Sequence, residues 1–207
     1  MKQILIATHN PAKLKELSFI FNNLINNGFK ILSLKDLNIN KQPQETGTTF
    51  KENAYLKATF YAQLAKIPTI SDDGGLGIDI LKGEPGVKSR NWLGYEATDE
   101  ELIKHTLEIL KGKPIKKRLA YLETWICFYD PRNKKSFFNH ERISGYIAKK
   151  PSRHREMGYP FRSLFKIKIR EKYQYYDSLN LEKCYSVNHR IKAARALLNK
   201  INKYLLK

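Results

Sequence analysis

The sequence has few cysteines, no long apolar run and a shortage of acidic residues. Its two cysteines, Cys127 and Cys184, cannot form a disulfide framework, and they lack the CxxC or His/Cys spacing of a zinc site. No apolar stretch approaches the roughly 20 residues that cross a bilayer, and the N-terminus lacks the pattern of a signal peptide. These absences predict a cytoplasmic protein with reduced thiols and no membrane partner.

Basic residues outnumber acidic ones, with 38 Lys and Arg against 20 Asp and Glu and a formal net charge of +18. Such a charge attracts nucleotides, nucleic acids and acidic lipid surfaces without choosing among them. The basic residues are scattered from Lys2 to Lys207, so drift in composition explains the charge as well as a partner does. Hydrophobic residues make up 42% of the 207 residues, which is enough to form a core and argues against a disordered chain.

Strand-like and helix-like periodicities alternate along the chain and predict an α/β fold. No internal repeat or long linker is visible, so we expect one domain over residues 1–207, with two lobes around a cleft. The predicted elements are, in order, a strand over Lys2 to Ala7, a helix over Pro11 to Asn26, a strand over Lys30 to Leu34, a helix capped by Thr49 and Glu52, a short strand after Pro68 with Asp72 and Asp73 at its C-terminal end, a helix over Thr98 to Lys111, strands over Arg118 to Phe128 and Lys135 to Ile147, and a helix over His189 to Leu206.

The turn ATHNPAK joins the first strand to the first helix. Asn10 suits an N-cap, and Pro11 suits the first helical position because no amide donor is needed there. A helix N-terminus carries unpaired amide donors and a partial positive charge, so this junction can bind phosphate if nothing occludes it. Thr8, Asn10 and Lys13 add a hydroxyl, an amide and an ammonium. By itself the pattern also fits an ordinary cap followed by a solvated lysine.

Acidic residues that are candidates for a functional site lie in two later segments. Glu45 lies in a glycine-containing loop before the second helix, which carries Lys57, and Asp72 and Asp73 end a short strand in SDDGGLGIDIL. Adjacent strand residues point to opposite faces, so only one of these aspartates readily faces a given cleft, and the other is free to hold the loop. Two carboxylates beside a phosphate cradle repel each other unless a cation lies between them, and Mg²⁺ is the natural candidate. An acidic loop residue and a solvated lysine give the same pattern.

Several segments, taken in order, resemble those of the inosine/xanthosine triphosphate pyrophosphatase family: ATHNPAKLKEL, ETGTTFKENAYLKA, SDDGGLGIDIL, GEPGVKSRNWLG, and MGY with EKCYSVNHR. That family cleaves non-canonical purine nucleoside triphosphates to the monophosphate and pyrophosphate. The resemblance implies an elongated mixed β-sheet core flanked by helices, with the active site in a cleft between two lobes, and a homodimer. It also implies a Mg²⁺-dependent nucleoside triphosphate pyrophosphohydrolase that sanitises the nucleotide pool.

The resemblance assigns roles to individual residues of this chain. Asp73 matches the catalytic aspartate that binds metal and activates the attacking water, and Glu45 matches a second magnesium ligand. The substrate-binding positions it implies are Thr8, His9, Asn10 and Lys13 in the first turn, then Lys57, Gly74, Arg90 and Tyr159, and near the purine Lys183, His189 and Arg190.

The segment Met157 to Phe161 departs from the family pattern. It reads Met-Gly-Tyr-Pro-Phe where Phe-Gly-Tyr/Trp-Asp-Pro is usual, so the stacking Phe and the carboxylate are both absent. Gly74 and Asn188 replace serines, and the gap from Lys183 to His189 is longer than usual. A pocket that hydrogen-bonds a polar group rejects analogues lacking it by about 10⁴ to 10⁵. The hydrolytic residues are therefore retained, while a relaxed or redirected preference for 6-oxo purines is expected.

Two other functions fit the same chain. The net charge of +18 and the tyrosines at positions 173, 175 and 176 among lysines also suit a catalytically altered scaffold that binds nucleic acid. Glu45 and Asp73 argue against this function because without a metal they would repel a phosphate backbone, and the tyrosines also suit a half-exposed strand. An enzyme of the same scaffold that acts on another phosphorylated metabolite is a further alternative.

Overall fold

A computed structural model describes residues 2–179 and 185–205. The strands in these ranges are β1 (Lys2–Ile6), β2 (Phe29–Ser33), β3 (Thr69–Ile78), β4 (Leu119–Asp130), β5 (Lys135–Ile147), β6 (Phe165–Ile169) and β7 (Lys172–Tyr175). The α-helices are α1 (Pro11–Phe21), α2 (Phe50–Ala65), α3 (Asp99–Ile109) and α4 (His189–Leu205). None of the helices in the described ranges combines the length and apolar character that a membrane span requires.

The strands form one mixed sheet in the order β2-β1-β3-β4-β5-β6-β7. β1 is parallel to β2, with Ile4 opposite Ile31, and parallel to β3, with Ile6 opposite Ile70. β6 is antiparallel to both β5 and β7. The fold combines this mixed sheet with α-helices, so the predicted α/β class is confirmed.

The chain divides into two compact units. Unit 1 contains Met1–Asp73, Thr124–Glu141 and His189–Lys207, and unit 2 contains Gly74–Glu123 and Arg142–Asn188. Each unit has a buried apolar cluster of its own. In unit 1 the alanines of α2 at positions 54, 58 and 62 pack closely against Cys127 and Tyr129 of β4. Burial raises the pKa of the Cys127 thiol, so this cysteine is a core residue and not a nucleophile.

Two element boundaries differ from the sequence predictions. β3 does not end at the pair Asp72 and Asp73 but continues through Gly74 and Gly75 to Ile78. The aspartates are tolerated in a buried strand because each one meets a cationic side chain. The first helix ends at Phe21, and the chain continues as a 3-10 helix over Asn22–Asn27. Its four asparagines favour local hydrogen bonds over an α-helix interior.

Side chains or a glycine cap several helices in the described structure, and β6 and β7 form a hairpin. The predicted capping box at Thr49 with Glu52 is formed, the structure adds a second one at Thr98 with Glu101, and Gly28 ends the 3-10 helix at φ 79°. The sequence pattern does not identify the β6-β7 hairpin, because its strands are short and rich in lysine.

Candidate active site

The N-terminus of α1 is capped by Asn10, as the sequence predicts. Its Oδ1 accepts hydrogen bonds from the backbone amides of Ala12 at 2.9 Å and Lys13 at 3.1 Å. The Thr8 hydroxyl oxygen accepts one from the Asn10 amide at 3.2 Å. Two of the helix's first amides are therefore already satisfied. These two amides are therefore not free to bind an anion, and the implied phosphate-binding role of this turn stays a prediction.

Lys13 reaches from α1 to the buried carboxylate of Asp72 on β3. The Nζ to Oδ2 distance is 3.2 Å, and the Asp72 side chain is fully buried. Burial opposes ionisation of Asp72, but the charges of Lys13 and Arg190 outweigh it and hold the pKa of Asp72 well below its usual range. Burial lowers the pKa of Lys13. Asp72 is thus an ionised anchor that fixes the lysine at the helix N-terminus.

Arg190, in the first turn of α4, joins the same cluster from the other side. Its Nε donates to Asp72 Oδ2 at 2.9 Å, and its Nη1 donates to Glu16 Oε2 at 3.1 Å. The Arg190 side chain is only 4% exposed. Sequence reasoning missed Glu16, although an acid one turn after Lys13 on the buried face of α1 is a usable signal. The implied contact of Arg190 with the purine stays a prediction.

Lys57 of α2 lies between the two carboxylates that are expected to bind metal. Its Nζ is 2.8 Å from Asp73 Oδ1 and 3.2 Å from Glu45 Oε1. Burial lowers the pKa of Lys57, but the carboxylates of Asp73 and Glu45 raise it more, so the pKa stands above its ordinary value. The aspartates have different partners, since Asp72 meets α1 and α4 while Asp73 meets α2. The expectation that adjacent strand carboxylates face different directions is confirmed.

The residues present fit a divalent cation that also holds substrate. Asp72 Oδ1 and Asp73 Oδ2 are buried and have no hydrogen-bond partner within the described part of the chain. Mg²⁺ is commonly bound by one or two carboxylates together with waters and substrate phosphates. In the ranges that the structure describes, no group of three or more His, Cys, Asp or Glu residues is arranged to hold a metal. Asp73 and Glu45 therefore suit a shared Mg²⁺ and not an all-protein cage.

Arg90 and the divergent segment meet on one aspartate within unit 2. Arg90 Nη1 is 2.6 Å from Asp99 Oδ1, and the Gly158 amide donates to Asp99 Oδ2 at 2.7 Å. Tyr159 is buried, with the Arg162 guanidinium carbon 3.5 Å from the centre of its ring. Sequence reasoning missed Asp99, because an acid in the first turn of a helix is ordinarily explained by the helix dipole.

The family model described as the Ham1 family matches residues 4–200 of the chain. The chain belongs to the Ham1 family. A dITP/XTP pyrophosphatase of Leptospira interrogans is 38% identical, with 95% of each chain covered. A dITP/XTP pyrophosphatase of Bacillus subtilis is 34% identical and covers 95% of this chain and 96% of its own. These matches confirm the resemblance that the motifs indicated.

Solved Ham1 structures share the fold. A HAM1 protein from Coxiella burnetii has a TM-score of 0.80 at 27% identity, covering 99% of this chain and 100% of its own. The Ham1 protein of Staphylococcus aureus has a TM-score of 0.79 at 27% identity, covering 98% and 99%. The Ham1 fold therefore extends over both units of the chain.

The remaining predicted positions of this Ham1-family chain are more scattered. His9 is exposed, with its ring edge-on to Tyr61 at 6.2 Å between centroids. His189 is buried in unit 1, and Gly74 is the first residue of unit 2. Lys183, like Cys184, lies outside the described residues. The structure therefore brings together the positions around Asp72 and Asp73, while the roles of the others stay predictions.

Proposed function

We propose that this protein hydrolyses non-canonical purine nucleoside triphosphates, such as dITP, XTP and ITP, to the monophosphate and pyrophosphate, and so removes them from the nucleotide pool. Curated relatives named dITP/XTP pyrophosphatase, at 34% to 38% identity, support this function. The observation that carries it is the Lys57 ammonium between Glu45 and Asp73, beside the ion pair of Lys13 with the buried Asp72. This cluster offers cations for phosphate and carboxylates for a metal.

The phosphate tail would be held by side chains of unit 1. Lys13 is fixed at the start of α1 by Asp72, so its ammonium needs little reorganisation to meet a phosphate oxygen. Thr8 adds a hydroxyl at the same turn, and Lys57 adds a second ammonium 2.8 Å from Asp73. Cations positioned beforehand stabilise the negative charge that develops on the leaving pyrophosphate.

Asp73 is the proposed general base. Its Oδ1 is held by Lys57, and its Oδ2, buried without a partner in the described part of the chain, is the atom that would take the proton of the attacking water. Glu45 and Asp73 are the residues that would hold Mg²⁺, which when bound withdraws charge from the phosphate oxygens. Lys57 contacts both carboxylates and holds them in place for these roles.

Base selectivity is proposed to be relaxed or redirected. Where the family pattern has a stacking Phe, this chain has Met157, which is 82% exposed, and Pro160 replaces the carboxylate. Turnover of dITP, XTP, ITP, GTP and ATP should be compared under one condition. A strong preference for the first three would remove this part of the proposal and leave the hydrolysis itself intact.

A Mg²⁺-dependent assay of pyrophosphate release tests the main proposal. We expect activity that chelation abolishes, and an Asp73→Asn variant reduced by about 10² to 10⁴ in kcat, as for loss of a general base. Asp36→Asn is the matched control, since Asp36 is exposed and bonds only locally to Ser33 in the described structure. Full activity in Asp73→Asn would show that the water is activated elsewhere.

Further expectations belong to the same proposal. The two units are proposed to act as one pyrophosphatase-like domain, as a homodimer in the cytoplasm, and light scattering with size exclusion measures the mass in solution. A scaffold that binds nucleic acid in place of hydrolysis is not favoured, because Lys13, Lys57, Asp72 and Asp73 are ordered in opposite-charge pairs.

A further inference from the structure

One face of the β5-β6-β7 region in unit 2 carries tyrosines and lysines in alternation. Lys166 of β6 stands opposite Tyr146 of β5 on one side and Tyr175 of β7 on the other. Lys168, two residues farther along β6, stands opposite Tyr173. Directly paired residues share a face of a sheet, and so do residues two apart on one strand. These five side chains therefore form one surface, which we call the Tyr-Lys face.

The opposite side of the same strands is the core of unit 2. Ile147, Phe165 and Ile167 belong to its buried apolar cluster. Tyr173 is 51% exposed and the Lys168 side chain 52% exposed. The Tyr-Lys face is thus the solvent side of these strands, and its outermost ring is open to a ligand.

Contacts among the side chains fix the rings. Tyr146 and Tyr173 meet edge to face, with centroids 4.9 Å apart. Lys166 Nζ lies 4.4 Å from the centre of the Tyr175 ring. The Tyr175 hydroxyl donates to the backbone carbonyl of Lys150 at 2.9 Å, which brings the exposed Lys149 and Lys150 to the border of the face. Rings held in this way lose little conformational freedom on binding.

The surface is strongly basic. Lys168 pairs with the exposed Glu171 at 3.1 Å. Lys149, Lys150 and Lys166 make no ion pair with a carboxylate in the part of the chain that the structure describes. The charges of these three lysines are therefore available to a ligand that carries several phosphates.

We propose that the Tyr-Lys face binds single-stranded nucleic acid. Unpaired bases stack on exposed aromatic rings, and lysines between the rings neutralise the phosphates, so one surface meets both parts of the ligand. A duplex keeps its bases stacked inside and would use the lysines alone. A second copy of the chain is disfavoured because two such faces would bring lysines against lysines. A bilayer is disfavoured because the Tyr-Lys face lacks the aliphatic side chains that enter one. The surface shares no residue with the proposed hydrolytic site, so the two functions are tested separately.

Fluorescence anisotropy with a labelled oligothymidylate of about 12 nucleotides tests the proposal. At about 50 mM salt we expect a dissociation constant in the micromolar range, with tighter binding than to a duplex of equal length or to heparin. The logarithm of the dissociation constant should rise with the logarithm of salt with a slope of about 2, as for about three neutralised phosphates on a single strand.

Variants separate stacking from charge. Tyr173→Thr removes the ring but keeps a residue that suits strands, and it should weaken binding about 5- to 100-fold, while Tyr173→Phe retains affinity. Phe19→Ala is the matched control, because Phe19 is 47% exposed on α1 in unit 1. Lys166→Gln should lower the salt slope by about 0.7, and Lys35→Gln, at an exposed position of unit 1, should leave it unchanged.

Three results would overturn the proposal. The first is an affinity for heparin equal to that for the oligothymidylate, together with unchanged affinity in Tyr173→Thr. This result would show that the face binds any polyanion through charge alone. The second is no binding at about 50 mM salt, where phosphate contacts are strong. The third is a dimer in sedimentation velocity that Tyr173→Thr dissociates, because the face would then be occupied by a second copy. Unchanged nucleotide hydrolysis in Tyr173→Thr is expected, and it shows that the variant is folded.

Discussion

Arg190 Nε donates a hydrogen bond of 2.9 Å to Asp72 Oδ2, across 118 residues of sequence. The same oxygen lies 3.2 Å from Lys13 Nζ, and the other end of the Arg190 guanidinium reaches Glu16. The four charges alternate in sign, and the Asp72, Arg190 and Glu16 side chains are buried while Lys13 is partly exposed. Each buried charge has an opposite partner. This cluster couples the first turns of α1 and α4 to β3 and holds Lys13 in place at the candidate site.

Replacing Arg190 should destabilise the protein strongly. Arg190→Met leaves the buried carboxylates of Asp72 and Glu16 without their shared cation, and breaking a buried pair in this way costs about 3 to 5 kcal/mol. Urea unfolding measures the free energy. Arg195→Met, at an exposed position of the same helix, is the control and should change it by less than about 0.5 kcal/mol. Equal losses in both variants would mean that the cluster is not a structural anchor.

Removing the Lys57 charge should damage catalysis more than folding. In Lys57→Gln the carboxylates of Asp73 and Glu45 lose the ammonium between them, and the phosphate loses a cation. We expect kcat/KM to fall by about 10² to 10³, the usual cost of one positioned stabilising donor. Steady-state pyrophosphate release measures it, with Lys51→Gln on the exposed side of α2 as the control. Wild-type kcat/KM in Lys57→Gln would contradict the proposed role.

Asp99 should act on substrate binding through Arg90. Asp99→Ala removes the acceptor of both Arg90 and the Gly158 amide, so the arginine and the segment around Gly158 lose their common support. We expect KM for nucleotide to rise about 10-fold, with kcat changed less. Glu100→Ala, the next residue of α3, is the control, because Glu100 pairs with Arg155 instead. A purely structural role would lower the melting temperature and leave KM as it was.

Asp177 should make stability depend on pH. Burial is the main cause that raises the pKa of Asp177 to about 7, and the negative charge of Glu156 adds to it. Arg162, the Glu156 amide and His154 lower the pKa, but they do not cancel the effect of burial. The folded protein therefore binds more protons than the unfolded chain between about pH 4 and pH 7, and stability falls as the pH rises through that window. Between pH 5 and pH 8, we expect the wild type to lose about 1 to 3 kcal/mol more than Asp177→Asn in urea unfolding. Parallel pH profiles of the two proteins would refute this.

Gly75 should tolerate no side chain. A Cβ at this position would collide with Ser89 Oγ and would lie 2.9 Å from the Gly86 carbonyl oxygen. Ser89 cannot move away cheaply, because its hydroxyl accepts from the Leu76 amide at 3.0 Å and donates to Gly86 at 2.6 Å. Gly75→Ala should cost about 1 to 3 kcal/mol in urea unfolding, as overpacking does. Gly112→Ala is a comparison with open space around the Cβ, where only the positive φ of 73° is strained. A smaller loss in Gly75→Ala than in Gly112→Ala would contradict the steric argument.

Local features were readable from the sequence because their causes lie within a few residues. The cap at Asn10 and the capping box that begins at Thr49 depend on neighbours in the chain. The order of motifs indicated the family, and with it the positions of Glu45 and Asp73. The sequence predicts that these two carboxylates lie on either side of a cation, with Mg²⁺ as the candidate. In the structure the Lys57 ammonium contacts both of them.

Tertiary structure alone decided which charges are neutralised by which partners. Glu16 has an ordinary helical context, Asp99 is an ordinary residue of a first helical turn, and Asp72 had no assigned partner. Each acquires its role from a residue that is distant in sequence, because the register of strands and the packing of helices bring their charges together. The Tyr-Lys face arises in the same way, since its residues come from three strands. Periodicity along one segment carries no information about pairing across segments, and that pairing determines where this protein concentrates charge.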